Sequence, residues 1–260
     1  MIEVTGPKIL WEFSFFGLFD VTITETVLSS FVVMLILVVA SMLLGRRLQK
    51  RPSGRQVLVE KAVTMLYNMV RDTMGEHNIG FAPYIGALFC SSLLGTLISM
   101  TGLFRSATAD ISTTIVWALI TSVLVWYHSI KNQGFFGWLK GFTEPIVVMT
   151  PMNIISEIAQ PVSMAFRHFG NVAGGSVLTM LIYNALAGLS AAVFSWLPAA
   201  INNIPIFQIG IPAILSLYFD LFSGFIQALV FAMLTMVYVG AACPPPSEIK
   251  PRKRKHLRKQ

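Results

Sequence analysis

Residues 26–45 read TVLSSFVVMLILVVASMLLG, a run without one formal charge. As a helix rising 1.5 Å per residue it is long enough to cross a hydrocarbon core of about 30 Å. It stops at Arg46-Arg47, and Lys50, Arg51 and Arg55 follow closely. An excess of Lys and Arg marks the cytoplasmic side of a span, so residues 1–25 are expected outside the cell. The whole chain agrees with this start. Of its 260 residues 55% are hydrophobic and 12% charged, about half the charge of a soluble domain. Lipid is the expected solvent, and the expected fold is an all-α polytopic membrane protein forming a single membrane domain over 1–260.

Outward from this run, Pro52, Ser53 and Gly54 mark a turn. Val59, Val63, Leu66, Val70 and Met74 then recur at spacings of three and four, with Glu60, Lys61, Asn68, Arg71 and Asp72 off that stripe. This predicts an amphipathic helix over 55–74, lying on the cytoplasmic membrane surface or against a partner subunit. Two further spans are expected at 79–104 and 111–130, as a tight hairpin. Gly134, Gly137, Gly141 and Pro145 then break the chain.

Residues 146–240 are expected to hold two long helices, about 153–186 and 205–240, with a turn at Asn202, Asn203 and Pro205. At ~35 residues each they would be ~50 Å long and must tilt, kink or break. Pro161 and Pro212 are the candidate kink points. Five passages place the C-terminus inside, where Lys250, Arg252, Lys253, Arg254, Lys255, Arg258 and Lys259 form a basic tail over 241–260. That tail suits anionic lipid headgroups or a neighbouring subunit. No soluble domain stands beside it, so no nucleic-acid partner is expected. Residues 1–20 lack the compact apolar core of a cleavable signal. Cys90 and Cys243 have no metal-ligand spacing and read as small buried hydrophobes. No cofactor, metal site or nucleotide chemistry is expected on this chain.

Between Pro145 and Lys250 the formal charges are Glu157, Arg167, Asp220 and Glu248. Glu157, Gln160, Met164, Arg167 and Asn171 recur at helical spacing and should share a face. Ser216, Asp220, Ser223, Gln227 and Phe231 do the same in the next helix. Two polar stripes on adjacent membrane helices suggest a hydrated groove between them, or a shared polar partner. A central membrane arginine costs about 2.5–3.5 kcal/mol on insertion scales, and Arg cannot shed its proton to escape. Arg167 therefore requires water, a carboxylate or a functional anion. A static pair with Glu157 or Asp220 is one solution.

The segment Gln160-Pro161-Val162-Ser163-Met164-Ala165-Phe166-Arg167-His168-Phe169-Gly170-Asn171 resembles the signature of subunit a of the F-type ATP synthase. So do Phe225-Ile226-Gln227-Ala228-Leu229-Val230-Phe231, the following Leu234 to Tyr238, and the loop Ala107-Thr108-Ala109-Asp110. The resemblance runs from about residue 80 to 240. It implies a stator subunit of a bacterial inner membrane, facing a rotating ring of c subunits and joined by b and other synthase subunits. It assigns the essential arginine to Arg167 and its glutamine partner to Gln227. Ser176 and Asp220 occupy positions where the family often carries a titratable pair, which leaves Asp220 as the candidate proton relay. Glu157 would serve the cytoplasmic side. His168 stands where the family is usually apolar and has no assigned role; a lone His on a helix is more often packed than functional. A secondary transporter or channel binding an anion at Arg167 is the rival reading. The former class usually shows internal repeats, and the chain shows none.

Overall fold

The structure is a computed structural model that describes residues 9–15, 19–46, 48–49, 54–101, 106–144, 146–193 and 217–245. The basic tail beyond 245, the turn at Asn202 to Pro205, Pro212 and Ser216 lie outside the described residues.

The chain is a bundle of helices, five of which are long and apolar enough to cross a membrane. α1 spans Glu25–Gly45, α2 Gly54–Met74, α3 Ala82–Met100, α4 Ile111–Gln133, α5 Phe135–Gly141, α6 Thr150–Val193 and α7 Gly224–Ala242. α1 begins at Glu25, one residue before the charge-free run. Before it lies a β-hairpin that sequence reading missed: β1, Ile9–Phe15, pairs antiparallel with β2, Phe19–Thr24. Its signal was a period of two, Trp11, Phe13 and Phe15 alternating with Glu12 and Ser14.

α7 is the hub. It packs on α2, α3, α4 and α6, while α1 packs on α3 at the periphery. Small residues let the backbones approach, as in other membrane bundles. Ala228 and Ala232 are buried on α7. A Cβ on Gly224 would come within 2.8 Å of Thr96 Cγ2 on α3, so only glycine fits there. One cluster joins Val70 and Met74 of α2 to Ala232, Met236 and Val239 of α7. The later half of the amphipathic stripe is thus spent on this chain's own bundle, whereas Val63 is exposed.

Side chains close the ends of the helices. Asp110 caps α4 by accepting from Ser112 N at 2.9 Å and also accepts from Thr26 Oγ1 of α1 at 2.9 Å. At the far end of α7, Asn78 donates to Cys243 O at 3.0 Å, Asn132 donates to Ala242 O at 2.9 Å, and His77 Nε2 lies 2.8 Å from Cys243 O. The last carbonyls of a helix have no partner within it; here α4 and the 3-10 turn Glu76–Phe81 supply them.

Two expectations need correction. The segment expected to break after the third span holds the short helix α5, which follows Gly134 at φ 78. The first ion-path helix is 44 residues, not about 35, and continues through Pro161. Its length is about 66 Å at 1.5 Å per residue, twice a hydrocarbon core. The next helix starts, within the described residues, as a seven-residue π-helical segment, Leu217–Ser223, that leads into α7. Short π segments inside α-helices are frequent at functional sites.

Candidate functional site

α6 has two faces around Arg167. Pro161, Met164, Ala165, His168 and Gly175 are buried, and Val162, Ser163, Phe166, Arg167 and Gly170 are exposed. The guanidinium is therefore turned out of the bundle. Among the described side chains no carboxylate pairs with it. Glu157 lies ten residues earlier, about 15 Å down the helix axis, and accepts from Trp126 Nε1 of α4. A static Arg167–Glu157 pair is thereby excluded. Asp220 falls in the π-helical segment, and its side chain is outside the described part.

Asn171 and Ser223 join α6 to the end of the π segment at two points. Ser223 Oγ donates to Asn171 Oδ1 at 2.7 Å, and Asn171 Nδ2 donates to Ser223 O at 3.2 Å. Gln227, one turn further along, is 8% exposed and faces the bundle, with its Nε2 unpartnered among the described residues. The two polar stripes differ in exposure at this level. Arg167 looks outward and Gln227 inward, with the Asn171–Ser223 pair between the helices. Gln160 is half-buried. Ser176 is exposed, and its hydroxyl donates to Ala173 O at 2.8 Å within its own helix.

Glu157 borders a cavity of about 390 Å³ between α4, α5 and α6, walled by Trp126, Trp138, Leu139, Phe142 and Ile158. The bundle interior carries hydroxyls that can both donate and accept. Ser92 Oγ lies 3.0 Å from His168 Nε2, and Thr121 Oγ1 lies 3.3 Å from Thr235 Oγ1. Nearer α1, Ser106 Oγ and Thr108 Oγ1 are 2.8 Å apart. Sequence reading gave His168 no role and only the general tendency of a lone helical His to be packed. Its burial against Trp117 and Phe231 agrees with that, while its bond to Ser92 was not legible. Among the described residues, no group of His, Cys, Asp and Glu could hold a metal ion.

A helical bundle with five membrane-capable helices and a polar interior defines a polytopic membrane protein. The family of the ATP synthase A chain matches residues 27–240. ATP synthase subunit a, sodium ion specific, from Propionigenium modestum is 32% identical over 92% of this chain and 82% of its own length. ATP synthase subunit a 1 of Crocosphaera subtropica is 33% identical over 92% of this chain and 94% of its own. The Staphylococcus carnosus ATP synthase subunit a is 28% identical over 90% and 95%. The chain belongs to the ATP synthase subunit a family and is an ion-conducting subunit of the synthase membrane sector.

Proposed function

We propose that this chain is the stator half of the ion path, passing protons through two half-channels to and from carboxylates on a rotating c-ring. The observation that carries this is Arg167 on the outward face of α6, without a carboxylate partner among the described side chains. A permanent charge turned out of a membrane bundle needs water, a carboxylate or another anion beside it. A ring carboxylate meets that need. Facing lipid it stays protonated, since a bare charge there is costly. Facing Arg167 it ionises, because the guanidinium favours the charged form.

Magnitudes set the character of the contact. At ~4 Å and an effective dielectric near ~20 the attraction is about 4 kcal/mol. A membrane potential supplies about 2.3 kcal/mol per charge for every ~100 mV. These are comparable, so a partly hydrated contact lets the ring move on, whereas a dry ion pair would hold it. Arg167 also bars protons from passing directly between the half-channels. On this reading Asn171 fixes α6 against the π segment, and Gln227 and Gln160 line the polar interior. Asp220 relays protons in one half-channel, and Ser176 no longer titrates. Glu157 serves the other half-channel. The b subunits and membrane lipids complete the surroundings. The N-terminus lies outside and the C-terminus in the cytoplasm of a bacterial cell. The ring's own binding site sets which cation is coupled, and the Propionigenium relative is named for sodium.

Cysteine cross-linking in the assembled complex tests the contact. With Cys90 and Cys243 replaced by serine, Ser163→Cys and Phe166→Cys should form disulfides with cysteines on the ring's outer helices, and the buried Ala165→Cys should not. Equal cross-linking from both faces, or none from the exposed face, would remove the ring from this surface.

A further inference from the structure

Successive residues of an α-helix point about 100° apart, so burying one aims the next. Arg167 is exposed and His168 is 2% exposed. The contacts of His168 come from three helices. Its Nε2 lies 3.0 Å from Ser92 Oγ on α3. Its ring stands 6.0 Å from Trp117 on α4 and 5.3 Å from Phe231 on α7, the latter edge to face. Met164 and Ala165, one turn earlier, fill the same buried stripe with apolar surface. Apolar packing is non-directional and tolerates small rotations, whereas a hydrogen bond weakens steeply once misaligned.

We propose that His168 is a positioning residue for Arg167: its hydrogen bond to Ser92, held between Trp117 and Phe231, locks the rotation of α6 and so aims Arg167 out of the bundle. The inference rests on the reading of Arg167 as the ring-facing charge. Side chains reach about 5–6 Å from the axis, so a turn of α6 by about 20° moves a tip by ~2 Å. Misplacement by ~1 Å can already slow a reaction by about two orders of magnitude. An apolar side chain at 168 could fill the space but could not fix the angle. A histidine supplies both volume and direction.

The test uses the assembled complex with Cys90 and Cys243 replaced by serine. Spin labels are attached at Val162→Cys on α6 and Val123→Cys on α4, both exposed. The distance between them reads the rotation of α6, and ATP-driven pumping in vesicles, measured on the same His168 and Ser92 variants without the two label cysteines, reads coupling. His168→Ala and the milder Ser92→Ala should each shift or broaden the distance and cut pumping by roughly tenfold. Their double variant should lose no more than the worse single one. His168→Gln, whose amide can reach the same hydroxyl, should restore both. Unchanged distances in both alanine variants overturn the lock. A restored distance without restored pumping in His168→Gln also overturns positioning, because the imidazole itself would then be needed. Shifted distances with full pumping leave the lock standing and overturn the reading of Arg167 on which its purpose depends.

Discussion

Asn171 and Ser223 exchange two hydrogen bonds between α6 and the π segment that leads into α7: the Ser223 hydroxyl donates to the Asn171 side-chain oxygen at 2.7 Å, and the Asn171 side-chain amide donates to the Ser223 backbone carbonyl at 3.2 Å. The pair sits one turn beyond Arg167 on α6 and one turn before Gln227 on α7. It ties the outward charge to the inward amide.

Asn171→Ala should therefore impair pumping more than Ser223→Ala does. It removes both bonds, whereas Ser223→Ala spares the backbone carbonyl's acceptance. Each lost bond that leaves a partner unsatisfied costs about 1–3 kcal/mol, read as a lower melting temperature of the complex in detergent. The double variant should be less than additive, since both substitutions break the same link. Full additivity would mean that the two residues act separately.

Gly224→Ala should destabilise the α3–α7 contact. The new methyl would meet Thr96 Cγ2 at 2.8 Å and Thr96 Cβ at 3.2 Å. Thr96 has little freedom to yield, being β-branched and bonded to Ser92 O at 2.9 Å. Overpacking of this kind costs about 1–3 kcal/mol. Thr96→Ser in the same chain removes Cγ2 and should recover much of the melting temperature. No recovery would place the strain elsewhere.

Glu157 and Trp126 separate charge from structure. Glu157→Gln keeps an acceptor for the indole N–H but loses the carboxylate. Glu157→Ala loses both. If the carboxylate carries protons, both variants slow pumping, and only Glu157→Ala also lowers the melting temperature. Pumping at the wild-type rate in Glu157→Gln would leave Glu157 as a structural acceptor.

Cys243, just past the end of α7, should react slowly with maleimide. Burial pushes its thiol above the usual cysteine range, and the charge of Lys131 pulls it partway back. The thiolate is the nucleophile, so a raised pKa means less of it at neutral pH and a rate that climbs into the alkaline range. Lys131→Gln removes the opposing charge and should move the profile further upward. The measurement is labelling rate against pH in a Cys90→Ser background, and a profile at or below that of an ordinary thiol would contradict it.

Charge-free runs made the spans legible. Residues 26–45 and α1 nearly coincide, and the helical stripe from Val59 to Met74 lies within α2. Lengths and rotations were harder to read. Nothing local ends α6 near residue 186, and the helix runs on to Val193. Regular spacing showed that Glu157, Gln160, Met164, Arg167 and Asn171 lie close around α6. It could not say where the boundary between bundle and exterior cuts that stripe, because tertiary packing sets the angle. The cut falls so that Met164 is buried and Arg167 exposed. For the same reason the spacing that puts Gln227 on one stripe with Ser223 could not show that its side chain would be buried. The period of two before residue 25 was a local signal, and the hairpin there could have been found.

The most direct test of Arg167 as the coupling charge is Arg167→Ala in the assembled complex, with ATP-driven proton pumping and passive proton leak measured in vesicles. The account predicts loss of pumping and a raised leak at normal assembly. Pumping near the wild-type rate would contradict it and return Arg167 to a structural charge.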